Sequence, residues 1–210
     1  MDDLDKMSKA LALLEKYESY LFRKAWGLTL VMIGIMIPLI ALLTFMAPSI
    51  APILGISIET FIILTSVIIW IIGMFIIIYS FASASKIYSK KQKFSFRKEM
   101  PHIVAISLVW FISFTLIRFA PQNLAFVSIL WAAGSACVLS YLILRKVQIH
   151  GTYPEILFVG LILLMASIPI VFIDDLVLAE IITIVIFAIS FFVGGFYSIL
   201  TASHVLSGNT

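Results

Sequence analysis

Six long runs of apolar residues divide this chain, and they leave it few ways to fold. They are Ala25–Ala47, Ile58–Ser83, His102–Phe119, Leu124–Leu144, Ile156–Ile173 and Leu176–Ser203. A helix rises about 1.5 Å per residue, so about 20 such residues cross the roughly 30 Å hydrocarbon core of a bilayer. Segments in lipid must satisfy their own backbone groups, which helices do internally. Hydrophobic residues make up 62% of the 210, with mean hydropathy +1.16, too few polar residues to cover a water-soluble domain. The pattern predicts an all-α polytopic membrane bundle of six transmembrane helices, arranged as three hairpins and preceded by an N-terminal amphipathic helix.

Charge orients the expected bundle. Of the 14 Lys and Arg residues, only Arg118 falls on one side of the six-span plot. Lys6, Lys9, Lys16, Arg23 and Lys24 precede the first span. Lys86, Lys90, Lys91, Lys93, Arg97 and Lys98 lie between the second and third. Arg145 and Lys146 follow the fourth. Cytoplasmic loops carry the excess of positive charge. The expectation is a protein of the cytoplasmic membrane with both termini in the cytoplasm. Glu59, Asp174, Asp175 and Glu180 then fall outside, where Asp174 and Asp175 suit the start of the sixth span as caps.

Three segments follow. Residues 1–24 form the amphipathic helix, with Leu4, Met7, Leu11, Leu14 and Leu21 on one face. It is expected to lie on the cytoplasmic leaflet, or to pair with another helix. Residues 25–204 hold the spans, with a basic cytoplasmic loop at 84–101, and residues 205–210 are a short tail. The acidic start (Asp2, Asp3, Asp5) is unlike a cleavable signal, so the first span is expected to remain. Small-polar landmarks recur at Ser80, Ser140 and Ser198, as a duplicated hairpin would produce. Pro38 and Pro169 are expected to kink their helices.

Two sets of residues stand out. Lys86, Lys90, Lys91, Lys93, Arg97 and Lys98, interleaved with Phe94 and Phe96, suit an anionic leaflet or a cytoplasmic protein. Ser128, Ala132, Ala136 and Ser140 recur every four residues in the fourth span. Ser190, Gly194, Ser198 and Ala202 do so in the sixth. Small residues let helix backbones approach in lipid, so these ridges are expected to meet each other at the centre of the bundle.

Catalytic signals are missing. The span interiors carry no Asp, Glu, Lys or Arg, the usual mark of an ion or proton path. His102, His150 and His204 all fall near the cytoplasmic face without metal-site spacing, so neither metal nor cofactor is expected. The single cysteine, Cys137, excludes a disulfide framework. No phosphate loop or nucleophile elbow is present. Nucleic acid is not an expected partner, because topology accounts for the basic residues first.

The layout is an amphipathic N-terminal helix, six spans, both ends inside and a loop between the second and third spans. It resembles the permease half of an ABC-2-type exporter. That resemblance implies docking of an ATPase-like cytoplasmic partner on the 84–101 loop. The chain departs from that layout in its shortness and in lacking re-entrant helices before the sixth span. The expected function is a non-enzymatic transport-complex subunit or permease-like component. The alternatives are a membrane sensor or scaffold that acts or self-associates through the N-terminal helix, and an intramembrane lipid-modifying enzyme.

Overall fold

The computed structural model describes residues 2–88, 96–116, 119, 121, 124–147 and 154–207, and among these there is helix but no strand. The helices are α1 (Asp2–Ile50), α2 (Ile58–Tyr88), α3 (Phe96–Leu116), α4 (Ala125–Val147), α5 (Pro154–Ile170) and α6 (Leu176–Ser207). Four contain stretches long and apolar enough to cross a membrane: Lys6–Ile50, Ile58–Ser80, Phe126–Arg145 and Leu176–His204. The apolar parts of the other two are shorter, Val104–Ser113 and Pro154–Ile170.

Local chemistry sets several boundaries. The Ser57 hydroxyl accepts the Thr60 N–H at 3.1 Å and caps α2. Asp175 Oδ1 accepts the N–H groups of Val177 and Leu178 at 2.9 and 3.2 Å, capping α6. Between α1 and α2 the chain reverses through Gly55, whose φ of 68° lies in the left-handed region open to glycine.

The first helix departs from expectation. A boundary between an amphipathic helix (1–24) and a span (25–47) is absent, because α1 is one helix of 49 residues. It includes Pro38 and Pro48 within its length. Residues 84–88 and 96–101 of the expected 84–101 loop are helical, as the end of α2 and the start of α3, while 89–95 lies outside the described residues.

Packing joins the helices in the order α2–α1–α6–α5–α4–α3. Each sequential hairpin is in contact, but the largest interface joins α1 to α6, and α4 only grazes α6. The α4–α6 contact, where the two ridges were expected to meet, is therefore not the central interface of the bundle. Glycine decides where backbones come closest. A Cβ on Gly27 or Gly195 would lie 2.7 Å from the other's carbonyl oxygen, drawing α1 onto α6. Gly134 and Gly160 meet likewise across α4 and α5, at 2.9 and 2.8 Å. In lipid such approaches substitute for the missing hydrophobic drive between helices.

The core lies among α1, α4, α5 and α6. Phe187 and Phe191 stack at 4.6 Å between ring centroids, beside Leu130, Val159 and Leu163. By contrast α2 packs substantially against α1 alone, and Ile63, Ile71, Phe75 and Ile78 on it are exposed. An apolar helix so uncovered in water would be untenable, but in lipid it is ordinary.

Candidate functional site

The antiparallel helices give the bundle two chemically distinct ends. The basic end holds the N-terminal half of α1, the start of α5 and the ends of α4 and α6. The acidic end holds Glu59, Asp174 and Asp175. Three features stand along this axis.

The first is a buried ion pair at the basic end. Glu155 occupies the first turn of α5, directly after Pro154, where the helix dipole favours an acid. Its side chain is 1% exposed. Arg23 of α1 donates from Nη2 to Glu155 Oε1 at 2.6 Å. Glu155 Oε2 and Arg23 Nε are buried without a hydrogen-bond partner. The Ser198 hydroxyl of α6 donates to the Arg23 carbonyl at 3.1 Å. Two helices, α5 and α6, thus converge on one turn of α1. Tyr17 and Tyr20 stack just before it, and Lys24 Nζ lies 5.9 Å from the Tyr20 ring centroid. Basic and aromatic residues at one level mark a membrane–water boundary.

The second feature is α1 beyond that boundary. Met7, Leu11, Leu13, Leu14 and Tyr17 are exposed. No other described helix covers that stretch.

The third is a groove of about 800 Å³ between α3 and α5, floored by α4. Ser128, Trp131, Ala132, Ser135 and Leu139 form its floor. A separate cavity of about 130 Å³ lies among α1, α4 and α6, lined by Glu180 and Thr183. The Thr183 hydroxyl is buried there with no hydrogen-bond partner.

The residues singled out in the sequence are distributed unevenly. Lys90, Lys91, Lys93 and Phe94 lie outside the described residues. Lys86 falls near the end of α2, and Phe96, Arg97 and Lys98 in the first turn of α3, with side chains outside the described set. Of the small-residue ridges, Ser128 is half-buried. Ala132, Ala136, Ser140, Ser190, Gly194, Ser198 and Ala202 are buried. Their partners differ from those expected. The Ser140 hydroxyl accepts Trp110 Nε1–H from α3 at 3.2 Å. Gly194 faces Val159 of α5 and Leu30 of α1. The recurring serines also do different work, since Ser80 bonds only its own helix, at the Ile76 carbonyl.

Sequence reasoning missed Glu155 and its partner, which stand 132 positions apart. An acid after a proline at the start of an apolar run was the available signal. Among the described residues no group of three or more His, Cys, Asp and Glu is placed to hold a metal ion. His150 and the His102 side chain lie outside that set. No family model, curated protein or solved structure matches this chain.

Proposed function

We propose that this chain is a six-span protein of the cytoplasmic membrane, with both termini cytoplasmic, that serves as a non-enzymatic, permease-like subunit of a transport complex. Connectivity supports six crossings. α2 ends at the basic end and α4 starts at the acidic end, so α3 has to join the two, and α5 joins α4 to α6 in the same way. The 17 residues of α5 give roughly 26 Å, a shortfall that local thinning of the bilayer accommodates.

The observation that carries the subunit reading is α1. Its 49 residues extend roughly 74 Å, more than twice the hydrocarbon thickness. The surplus extends from the basic end with exposed Leu and Met side chains, which supports reading it as an amphipathic helix. It would share a face with the end of α2, which carries Lys86, and the start of α3, which carries Arg97 and Lys98. A cytoplasmic protein, ATPase-like in the reading that couples energy to transport, would engage both.

The test is affinity purification from native membranes in mild detergent. Neutralising Lys86, Lys90, Lys91, Lys93, Arg97 and Lys98 to Gln should remove a nucleotide-hydrolysing partner while insertion is unchanged. Retention of the same partners by that variant defeats the docking. The exposed stripe on α1 favours a second reading, a scaffold that self-associates through its N-terminal helix. Loss of oligomers alone on deleting residues 1–20 would select it. Orientation is checked with a membrane-impermeant thiol reagent on single cysteines at Ser8 and Ser57, in a Cys137→Ala background. Ser8→Cys should be labelled only after the cytoplasmic face is opened.

A further inference from the structure

We propose that this protein holds the surrounding bilayer at two thicknesses, taking short-chain lipid along its α3–α5 side and long-chain lipid along its α1–α2 side. The proposal rests on the membrane-spanning reading above and not on the transport role.

The helices are level at one face and stepped at the other. Arg23 and Lys24 precede the apolar stretch of α1, and Glu155 precedes that of α5. The 2.6 Å contact between Arg23 and Glu155 makes both stretches start at one level. From there α1 runs to Ile50 without Asp, Glu, Lys, Arg or His, roughly 39 Å. By the same rule α5 runs from Ile156 to Ile170, roughly 22 Å, and only Val171, Phe172 and Ile173 separate it from Asp174. α2 keeps pace with α1. Met36 lies against Gly73, and Ala47 and Ala51 cluster with Phe61. The uncharged part of α2, Thr60 to Ser85, is again roughly 39 Å. α4 offers roughly 30 Å from Ala125 to Leu144, and α3 roughly 21 Å from Ile103 to Leu116. The packing order sets α5, α4 and α3 on one side and α1 and α2 on the other. Between them stands α6, uncharged from Ile181 to Ser203 over roughly 34 Å.

Tilt does not level these lengths. The average tilt of about 20° takes 39 Å only to roughly 37 Å. Matching α4 would take about 40°, the upper end of the tilts that spanning helices adopt, and matching α5 about 55°. The step therefore falls at the acidic end, in the leaflet there. On the long side Phe45, Ile53 and Leu54 are exposed near the α1–α2 turn, and acyl chains that reach them bury apolar surface. On the short side the same chains would overrun Asp174, whose charge is costly in hydrocarbon. Each ångström of mismatch costs a fraction of a kcal/mol, enough to sort lipids between the two sides.

Ile71 near the middle of α2 is 64% exposed, and Met165 near the middle of α5 is 67% exposed. They make a matched pair of reporter positions. Full-length Ile71→Cys and Met165→Cys chains, each in the Cys137→Ala background, carry a bimane fluorophore in vesicles of brominated dioleoylphosphatidylcholine. Unbrominated dimyristoleoyl- or dierucoylphosphatidylcholine is then mixed in to displace the quencher. On α5 the shorter dimyristoleoyl lipid should restore fluorescence at a mole fraction about two-fold below that of the dierucoyl lipid. On α2 the order should reverse. One shared preference at both positions overturns the proposal. So does quenching at Ile71→Cys with none at Met165→Cys, which would place protein against α5. Absence of quenching at both defeats the membrane-spanning reading and the proposal with it. Phe75→Cys and Ile162→Cys, exposed on the same two helices, repeat the comparison should either chain of the first pair fail to fold.

Discussion

Glu155 and Arg23 form a pair whose loss should be felt throughout the bundle. The carboxylate is 1% exposed and the guanidinium 20%. Removing one member of a buried pair strands the other, at about 3–5 kcal/mol, whereas replacing both with apolar residues costs far less. Arg23→Met should therefore lower the thermal midpoint in detergent sharply, and Arg23→Met with Glu155→Leu should recover most of the loss. An additive double variant would show that the pair does not act as a unit. The glycines offer a second contrast. A methyl on Gly160 meets the Gly134 carbonyl oxygen, a rigid backbone atom. One on Gly73 meets the Met36 thioether, which can move aside. Gly160→Ala should cost about 1–3 kcal/mol by overpacking. Gly73→Ala should be close to neutral, since alanine is also the better helix former. Denaturation of the two variants side by side measures the difference.

Among the elements, α1 carries the sharpest prediction. Spin labels at Ser8 and Ser49, in the Cys137→Ala background, should stand roughly 60 Å apart if the helix is continuous. A helix lying along the leaflet and turning down near Lys24 would bring them to roughly 45 Å. Dipolar spectroscopy separates these distances. The helices themselves were largely legible in the sequence. Expected starts at Ile58 and Leu176 coincide with those of α2 and α6, because apolar runs and caps are local signals. The continuity of α1 was not legible. The charged N-terminal stretch and the apolar stretch that follows differ in composition around Lys24, but both have helical periodicity, and α1 runs through without a break.

For the molecule as a whole, membrane class followed from the length and apolarity of the runs, while helix partnership did not. Small-residue ridges on α4 and α6 announce that something approaches closely, without naming what. Gly195 meets Gly27, and Gly134 meets Gly160. These pairs become visible only once distant segments lie side by side. The buried ion pair was hidden for the same reason, since each member reads singly as an ordinary helix-end residue. The groove too belongs to the assembled array, arising from a pair of helices that share a neighbour without touching substantially.

The joining of α1 to α6 also has a temporal side. A ribosome releases α1 long before α6, so the Gly27 face must wait in the bilayer for a partner not yet made. Contacts so distant along the chain form late and leave intermediates exposed. A nascent chain arrested ahead of Gly194 would present an unmated seam, open to wrong partners and to quality-control proteases. Completion of synthesis, rather than insertion of the first helix, is then the moment at which the bundle closes.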